Sequence, residues 1–245
     1  MNIFDKKELI KKELLKHNVL ITDMQARQFL EYYDLLLEWN SFMNLTGITE
    51  FREVVIKHFA DSLALSRVTD LNHDISVIDV GTGAGFPGIP LKIAFPSIKI
   101  TLLDSLNKRI KFLDEVIKHL NLKDIFAIHG RAEDYGKNRT DSFYRESFDI
   151  CVSRAVANIS VLSEYCLPFV KMNGLFVAYK SERLSEETEE GYEAISVLGG
   201  NIEDKVSFTL DDGKIYRSLL VIRKVNHTPL KYPRKAGSAV KAPIK

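Results

Sequence analysis

The pattern of apolar and polar positions divides the chain into two parts with different periodicities. Up to about residue 70 the apolar residues recur at helical spacing, beginning after Thr22 and Gln25, which resemble a helix capping box. A second helix is predicted from about Glu50 to Ser66. Because strong strand patterns are absent here, residues 1–70 are predicted to form a small N-terminal helical cap.

From Ile75 onward, short apolar segments alternate with amphipathic helical ones, which predicts a mostly parallel sheet with helices on both faces. The last two strands lack a helix between them, so the turn at Asp211-Asp212-Gly213 predicts an antiparallel hairpin at the sheet edge. The predicted strands are Ser76–Val80, Lys99–Asp104, Ile125–His129, Phe148–Ser153, Leu175–Lys180, Val206–Leu210 and Ser218–Arg223. The predicted helices are Pro87–Ala94, Asn107–Leu120, Arg131–Tyr144, Asn158–Val170 and Glu182–Val197.

Three regions follow from this pattern: the cap, an α/β domain over residues 71–225 and a C-terminal tail over residues 226–245. The tail carries five basic residues, three prolines and no acids, and it is predicted to be extended.

Composition restricts the possible partners only slightly. The 245 residues are 45% apolar and 27% charged, with a formal net charge of +1, so any nucleic-acid binding must depend on local basic patches. No apolar segment approaches the ~20 residues needed to cross a bilayer, and the N-terminus does not have the pattern of a signal peptide. Cys151 and Cys166 lack disulfide, redox or metal-site spacing, which favours the cytoplasm. The histidines also lack such spacing, so no metal is predicted.

A glycine-rich loop, Gly81-Thr82-Gly83-Ala84-Gly85, follows the first predicted strand and precedes Pro87, where a helix should begin. Glycines permit close approach of a ligand, and the free N–H groups of a helix start favour polar or anionic ligand atoms. A tight turn without a ligand is the alternative. Gly83, Gly85 and Gly88 also satisfy G-x-G-x-x-G, so the pattern leaves NAD(P) possible, whereas the G-K-[ST] of a phosphate loop is absent.

With Asp79, this loop resembles the D-x-G-x-G-x-G motif of class I S-adenosylmethionine (SAM)-dependent methyltransferases. The resemblance implies a Rossmann-like, seven-stranded sheet with SAM over the carboxyl end of the first strand. Asp104 ends the second strand, where a carboxylate can accept hydrogen bonds from ribose hydroxyls or can cap the next helix. Ala132 and Glu133 follow the third strand, where methyltransferases place a small residue and an acid near the adenine, although an ordinary helix start is the alternative.

Arg154 follows the fourth strand and could hold a cofactor carboxylate, a substrate phosphate or a helix acid. His58, Asp61 and Ser62 share one helical face, where they either converge on the site or pair locally. These four residues are the catalytic candidates. Both cysteines are interpreted as buried thiols, so covalent catalysis is not predicted. An acceptor such as guanine N7 has an in-plane lone pair and needs alignment more than a base.

Motifs along nearly the whole chain point to one family. They are Trp39–Thr46, His58–Leu63, Leu103–Ser105, Gly130–Glu133, Ser153–Ala157 and Tyr232–Gly237. In order and spacing they resemble the glucose-inhibited division protein B family, also called ribosomal RNA small-subunit methyltransferase G. The resemblance implies methyl transfer from SAM to N7 of one guanine in 16S rRNA, near the decoding site of the small ribosomal subunit. A cytoplasmic monomer is expected.

The family motifs place cofactor contacts on several residues of this chain, and its basic residues suggest RNA contacts. The predicted cofactor-binding residues are Gly81, Gly83, Gly85, Phe86, Asp104, Ala132, Glu133 and Arg154. The predicted RNA-binding residues are Arg131, Tyr232, Arg234 and Lys235, with Lys108, Arg109, Lys111, Lys231 and Lys241 as further basic candidates. The polar stretch Lys137–Glu146 departs from the family pattern. A methyltransferase for small molecules or proteins, a non-catalytic binding module and an NAD(P) oxidoreductase remain alternatives.

Overall fold

The computed structural model describes residues 1–137, 143–154, 157–181 and 184–245. Its centre is a seven-stranded sheet in the order β3-β2-β1-β4-β5-β7-β6. The strands are β1 Ser76–Val80, β2 Lys99–Asp104, β3 Ile125–His129, β4 Phe148–Ser153, β5 Val170–Lys180, β6 Gly200–Leu210 and β7 Ile215–Lys224. The α-helices are α1 Ile3–Leu15, α2 Asp23–Met43, α3 Phe51–Val54, α4 Gly88–Ala94, α5 Asn107–His119, α6 Ala132–Tyr135, α7 Ile159–Cys166, α8 Leu184–Val197 and α9 Ser238–Lys241.

The sheet confirms the predicted α/β class. β1 to β5 pair in parallel, and β7 is antiparallel to both β5 and β6. The predicted hairpin is present at the sheet edge. Because β7 lies between β5 and β6, the edge strand is β6 and the antiparallel strand β7 is next to it. All seven predicted strands occur, and the last three begin earlier than the pattern indicated, at Val170, Gly200 and Ile215.

The cap is helical, as predicted. Thr22 and Gln25 form the capping box, in which each side chain accepts a hydrogen bond from the other residue's backbone N–H. The helix predicted over residues 50–66 is present but irregular. After α3 it continues as a π-helical turn, Val55–Ala60, and ends as a 3₁₀ turn, Leu63–Arg67. Such turns often occur at functional sites, and this one contains His58.

Two hydrophobic clusters cover the two faces of the sheet. The cap, α4 and α5 pack on one face, with Phe29, Tyr32 and Phe59 fully buried. The other face is covered by α7, α8 and part of the tail, including Tyr232 and Ile244. The tail was predicted to be extended; instead it is docked and contains α9, because apolar tail side chains join this second cluster.

The strands β1 to β4 are parallel, so their carboxyl ends lie at one edge of the sheet. The chain order reverses between β1 and β4, and ligands of open α/β sheets bind in the crevice at such a point. The helix predicted over residues 131–144 is limited to α6 in the described residues. Residues 138–142, 155, 156, 182 and 183, which belong to several predicted segments, lie outside the described residues. Among the described residues, no helix is long and apolar enough to cross a membrane.

Candidate functional site

The glycine loop after β1 leaves its backbone open on one side. Gly81 and Gly83 have φ angles of +74° and +63°, and a Cβ added at either position would meet no heavy atom within 4 Å. A ligand can therefore approach this backbone closely. Gly85 has a different role, because a Cβ there would lie 2.5 Å from Cδ1 of Ile89. Gly85 thus allows the loop to pack against α4.

Asp79 lies buried beneath this loop and holds it in place. Its Oδ2 accepts hydrogen bonds from Thr82 Oγ1 at 2.7 Å and from the Gly88 N–H at 2.9 Å. The first N–H of α4 is therefore used by Asp79, whereas the sequence predicted that it would be free for a ligand. Burial raises the pKa of Asp79 to about 6.

Asp104, at the end of β2, connects the loop to the neighbouring strand. Its Oδ2 accepts a hydrogen bond from the Gly83 N–H at 2.9 Å and pairs with Arg109 Nη1 at 3.1 Å. Its Oδ1 accepts from the Leu106 N–H at 2.9 Å, so Asp104 stabilises the turn before α5 without being its N-cap residue, which is Leu106. The side chain is almost fully buried yet borders a cavity.

This cavity, of about 420 Å³, extends across the carboxyl ends of β1, β2 and β3. Its size is within the range of small-molecule and cofactor sites. Six residues singled out from the sequence for the cofactor or RNA line it: Gly81, Asp104, Arg109, Arg131, Ala132 and Glu133. The other lining residues are Val80, Leu103, Ser105, Gly130, Tyr165 and Gly237.

Glu133 lies in the first turn of α6 and forms the far end of the cavity. Its Oε1 accepts a hydrogen bond from the Gly237 N–H at 3.0 Å, so the tail contacts this wall. Tyr165 of α7 lies alongside; burial and then the negative charge of Glu133 raise the pKa of this tyrosine. Neither Tyr165 nor Gly237 was predicted for the cofactor site, since both reach it from distant parts of the sequence.

Arg154, after β4, is held by the π-helical turn of the cap. It forms an ion pair with Asp61 at 3.0 Å and donates hydrogen bonds to the Lys57 carbonyl and to His58 Nδ1, both at 3.3 Å. Its guanidinium also lies 5.0 Å from the ring centroid of Phe86. The sequence left open an ion pair with a helix acid, and this pair is present.

His58 is a neutral side chain with both ring nitrogens engaged. Burial and then the charge of Arg154 lower the pKa of His58 to about 3. Because Nδ1 accepts from Arg154, Nε2 carries the proton and donates to Thr46 Oγ1 at 2.8 Å. The ring stacks on Phe86, with centroids 4.5 Å apart. His58 therefore positions Phe86 and Arg154 and is not poised to accept a proton.

The side chains of two other catalytic candidates are also engaged in contacts within the protein. Ser62 is fully buried, and its Oγ donates to the His58 carbonyl at 2.6 Å, so the hydroxyl is engaged within the helix and does not face a substrate. Asp61 is buried, and Arg217 Nε lies 3.4 Å from its Oδ1, in addition to the pair with Arg154. Sequence reasoning missed Arg217, which comes from β7.

The structure changes the interpretation of two residues predicted to bind RNA. Arg234 Nε donates to both carboxylate oxygens of the buried Glu164 at 3.0 Å, and Tyr232 packs in the core cluster. Each of these two side chains anchors the tail to the domain. Lys235 and Arg131 are exposed and remain available.

Comparison with known proteins places this site in a family. Residues 25–216 match the family described as GidB, rRNA small subunit methyltransferase G. A curated protein of Lachnoclostridium phytofermentans named ribosomal RNA small subunit methyltransferase G is 54% identical over 90% of each chain. One of the same name from Staphylococcus aureus is 51% identical over 97% of this chain and 98% of its own. The chain belongs to the rRNA small subunit methyltransferase G family.

Solved structures support the fold of this family member. A SAM-dependent methyltransferase from Aquifex aeolicus aligns with a TM-score of 0.52 at 19% identity, over 71% of this chain and 93% of that one. TYW2 of Pyrococcus horikoshii, solved in complex with MeSAdo, aligns with a TM-score of 0.52 at 17% identity, over 68% and 62% of the two chains. At these identities the likeness shows the class I methyltransferase fold alone.

Proposed function

We propose that this rRNA small subunit methyltransferase G family member transfers a methyl group from SAM to N7 of a guanine in 16S rRNA. The observation that carries the proposal is the cavity lined by two buried acidic residues beside the open backbone of Gly81. Asp104 is the last residue of β2, and Glu133 lies in the first turn of α6. An acid at the end of the second strand is the arrangement that binds a nucleoside ribose in Rossmann-like folds.

The residues present match the chemistry of SAM. The Asp104 carboxylate would accept hydrogen bonds from the ribose hydroxyls, and Ala132 and Glu133 would border the adenine. The bare backbone at Gly81 and Gly83 would lie against the amino-acid part, and Arg154 would attract its carboxylate. When bound, SAM supplies an electrophilic methyl group on its positively charged sulfur.

The polar groups of the site suit an acceptor that requires no proton removal. Guanine N7 carries a lone pair in the plane of the ring, so it can accept a methyl group without a general base. Among the described catalytic candidates, His58 is neutral with both nitrogens engaged and Asp61 is paired with Arg154. The work of the protein is then alignment and exclusion of water, which can contribute on the order of 7–11 kcal/mol in favourable cases.

The RNA would approach the edge of the sheet where the cavity opens. Exposed cations occur on α5, before α6 and along the tail: Lys108, Lys111, Arg131, Lys231, Lys235 and Lys241. Because the net charge is only +1, these local cations would supply the attraction to phosphates. The proposal includes a cytoplasmic monomer that works without a metal ion.

The decisive experiment incubates the protein with methyl-labelled SAM and, separately, naked 16S rRNA, 30S subunits or 70S ribosomes. We expect label in 16S rRNA, mapped to one guanine by chemical cleavage specific for 7-methylguanine. Label at another atom or base would exclude N7 transfer. Label on protein or a small molecule instead of RNA would favour a different methyltransferase, and SAM binding without transfer would favour a binding module. Preference for NAD over SAM in calorimetry would indicate an oxidoreductase.

A further inference from the structure

The C-terminal tail is held to the domain by the segment that follows the undescribed residues 138–142. Arg145 donates hydrogen bonds to three backbone carbonyls, at 2.7 Å to Gly136, 2.9 Å to Tyr232 and 2.6 Å to Thr228. The neighbouring Glu146 accepts from the Thr228 N–H at 2.8 Å and pairs with His227 at 2.6 Å. This part of the polar stretch therefore fixes the start of the tail.

A second anchor lies further along the tail. The Arg234 N–H and its guanidinium both contact the carboxylate of Glu164, which is only 1% exposed. Tyr232 is buried in the core cluster two residues earlier, and Ser160 Oγ donates to the Ile244 carbonyl at 2.7 Å. The tail is thus fixed on both sides of residues 235–237, and Glu164 and Ser160 both belong to α7.

Between these anchors the chain reaches the cavity. Gly237 lines the cavity, and its N–H donates to Glu133 Oε1 at 3.0 Å. Its φ of +79° is in the left-handed region, which most side chains disfavour. The tail contact is therefore specific in its geometry and goes to a buried carboxylate.

We propose that the tail, through Gly237, is a positioning element that completes the nucleoside end of the cofactor site. The Gly237 amide fixes the orientation of Glu133 and forms the outer wall of the cavity beside Tyr165. The tail motif would therefore act on the cofactor, in addition to any contact of its lysines with RNA. This inference rests on the proposed function, since it takes the nucleoside of SAM as the ligand.

The test measures cofactor affinity by calorimetry in the whole chain and in three variants at one position. Gly237→Ala and Gly237→Val strain the left-handed backbone and displace the amide, so we expect the Kd for SAM to rise about threefold and about tenfold, respectively. Gly237→Asn tolerates the same φ and is expected to keep an affinity within twofold of the unaltered chain. Leu230→Ala, at an exposed tail residue, is the matched control and should leave the affinity unchanged.

Two further measurements distinguish a specific effect of Gly237 on the nucleoside end of the site from a general disturbance of the structure by the substitution. The Kd for 5′-methylthioadenosine, which lacks the amino-acid part, should rise by the same factor as that for SAM. In a Glu133→Ala background, Gly237→Val should have less than a twofold effect, because the contact acts through that carboxylate. Unchanged SAM affinity in Gly237→Val, a loss restricted to SAM, or full additivity with Glu133→Ala would each overturn the inference. Failure of the unaltered chain to bind SAM would instead overturn the proposed function, and the inference with it.

Discussion

At the scale of single residues, two buried carboxylates of the site differ in what surrounds them. Asp104 borders the cavity proposed for the nucleoside and is held by the N–H groups of Gly83 and Leu106 and by Arg109. Asp61 is enclosed by Arg154 and Arg217 within the protein. The first carboxylate is therefore suited to bind a ligand, whereas the second holds the arginine that would do so.

The first residue-scale prediction concerns Asp104. Asp104→Ala removes the acceptor for the ribose hydroxyls, and we expect it to weaken SAM binding about 100-fold, with Asp104→Asn about tenfold, as for hydrogen bonds to charged groups. Calorimetry measures both Kd values. Asp114→Asn, the same chemical change at an exposed position of α5, is the control. Unaltered SAM affinity in Asp104→Ala would show that the cavity is not the nucleoside site.

The second residue-scale prediction concerns the ion pair between Arg154 and Asp61. Arg154→Met leaves a carboxylate buried with only Arg217 near it, so we expect a loss of about 3 kcal/mol in the free energy of unfolding. Adding Asp61→Asn should restore most of this stability, because the buried charge is then gone. Urea unfolding measures each variant, with Arg223→Met at an exposed ion pair as a control expected to cost under about 1 kcal/mol. A double variant no more stable than Arg154→Met would contradict this account.

At the scale of elements, the last residue of β7 is a buried lysine, Lys224, whose side chain contacts the tail. Lys224 is fully buried, where it donates to the Leu167 carbonyl, contacts Thr228 Oγ1 and lies 3.2 Å from Glu146 Oε1. Burial lowers the pKa of Lys224 to about 8, since desolvation outweighs the attraction of Glu146. The attachment of the tail therefore depends on a group that titrates in an accessible pH range.

This arrangement predicts a change of stability with pH. The pKa of Lys224 is lower in the folded than in the unfolded chain, so the unfolded chain binds more protons above about pH 8 and stability rises with pH. Relative to Lys224→Met, the free energy of unfolding should increase by about 2 kcal/mol between about pH 7.5 and about pH 9.5. Urea unfolding at both pH values measures it. A constant difference between the two proteins would show that Lys224 keeps an ordinary pKa.

The sequence predicted the elements better than it predicted their long-range partners. Local periodicity was enough to predict the seven strands, and the cluster of glycines after the first strand predicted the loop. The positions of Asp104 and Glu133 at or just after strand ends predicted that they lie at the cofactor site. The sequence could not show that Arg234 pairs with Glu164, or that Gly237 reaches Glu133, because those contacts join segments about 70 and 104 residues apart. The sequence also did not predict the π-helical turn at His58, because the spacing of apolar residues there is equally compatible with a regular α-helix.

At the scale of the whole molecule, exposed cations lie both at the cavity and at the opposite edge of the sheet, in a chain with a net charge of only +1. α5 begins at the carboxyl end of β2 and ends near the opposite edge of the sheet, so its basic residues are divided between the two edges. Lys235 and Lys241 lie in the tail, which contacts the cavity wall, and Lys118 and Lys123 lie at the opposite edge. The two tail lysines and the two lysines at the opposite edge therefore carry the same charge and differ only in location.

This separation allows a matched test of RNA binding. Replacing Lys235 and Lys241 by Gln should weaken binding to 16S rRNA and reduce the slope of log affinity against log salt by about one to two units. The same change at Lys118 and Lys123 should have little effect. Filter binding over a range of salt concentrations measures both slopes. Equal slopes for the two double variants would place the RNA elsewhere on the surface.

The position of β7 has a consequence for the order of assembly. Within the described part of the sheet, strand β6 pairs only with β7, so it has no strand to pair with until the later strand is in place. The two strands must arrive together as a hairpin, or β7 must add first. In either case any opening that releases β7 also releases β6, and in native-state hydrogen exchange the amides of β6 should be protected no longer than those of the strand that follows it.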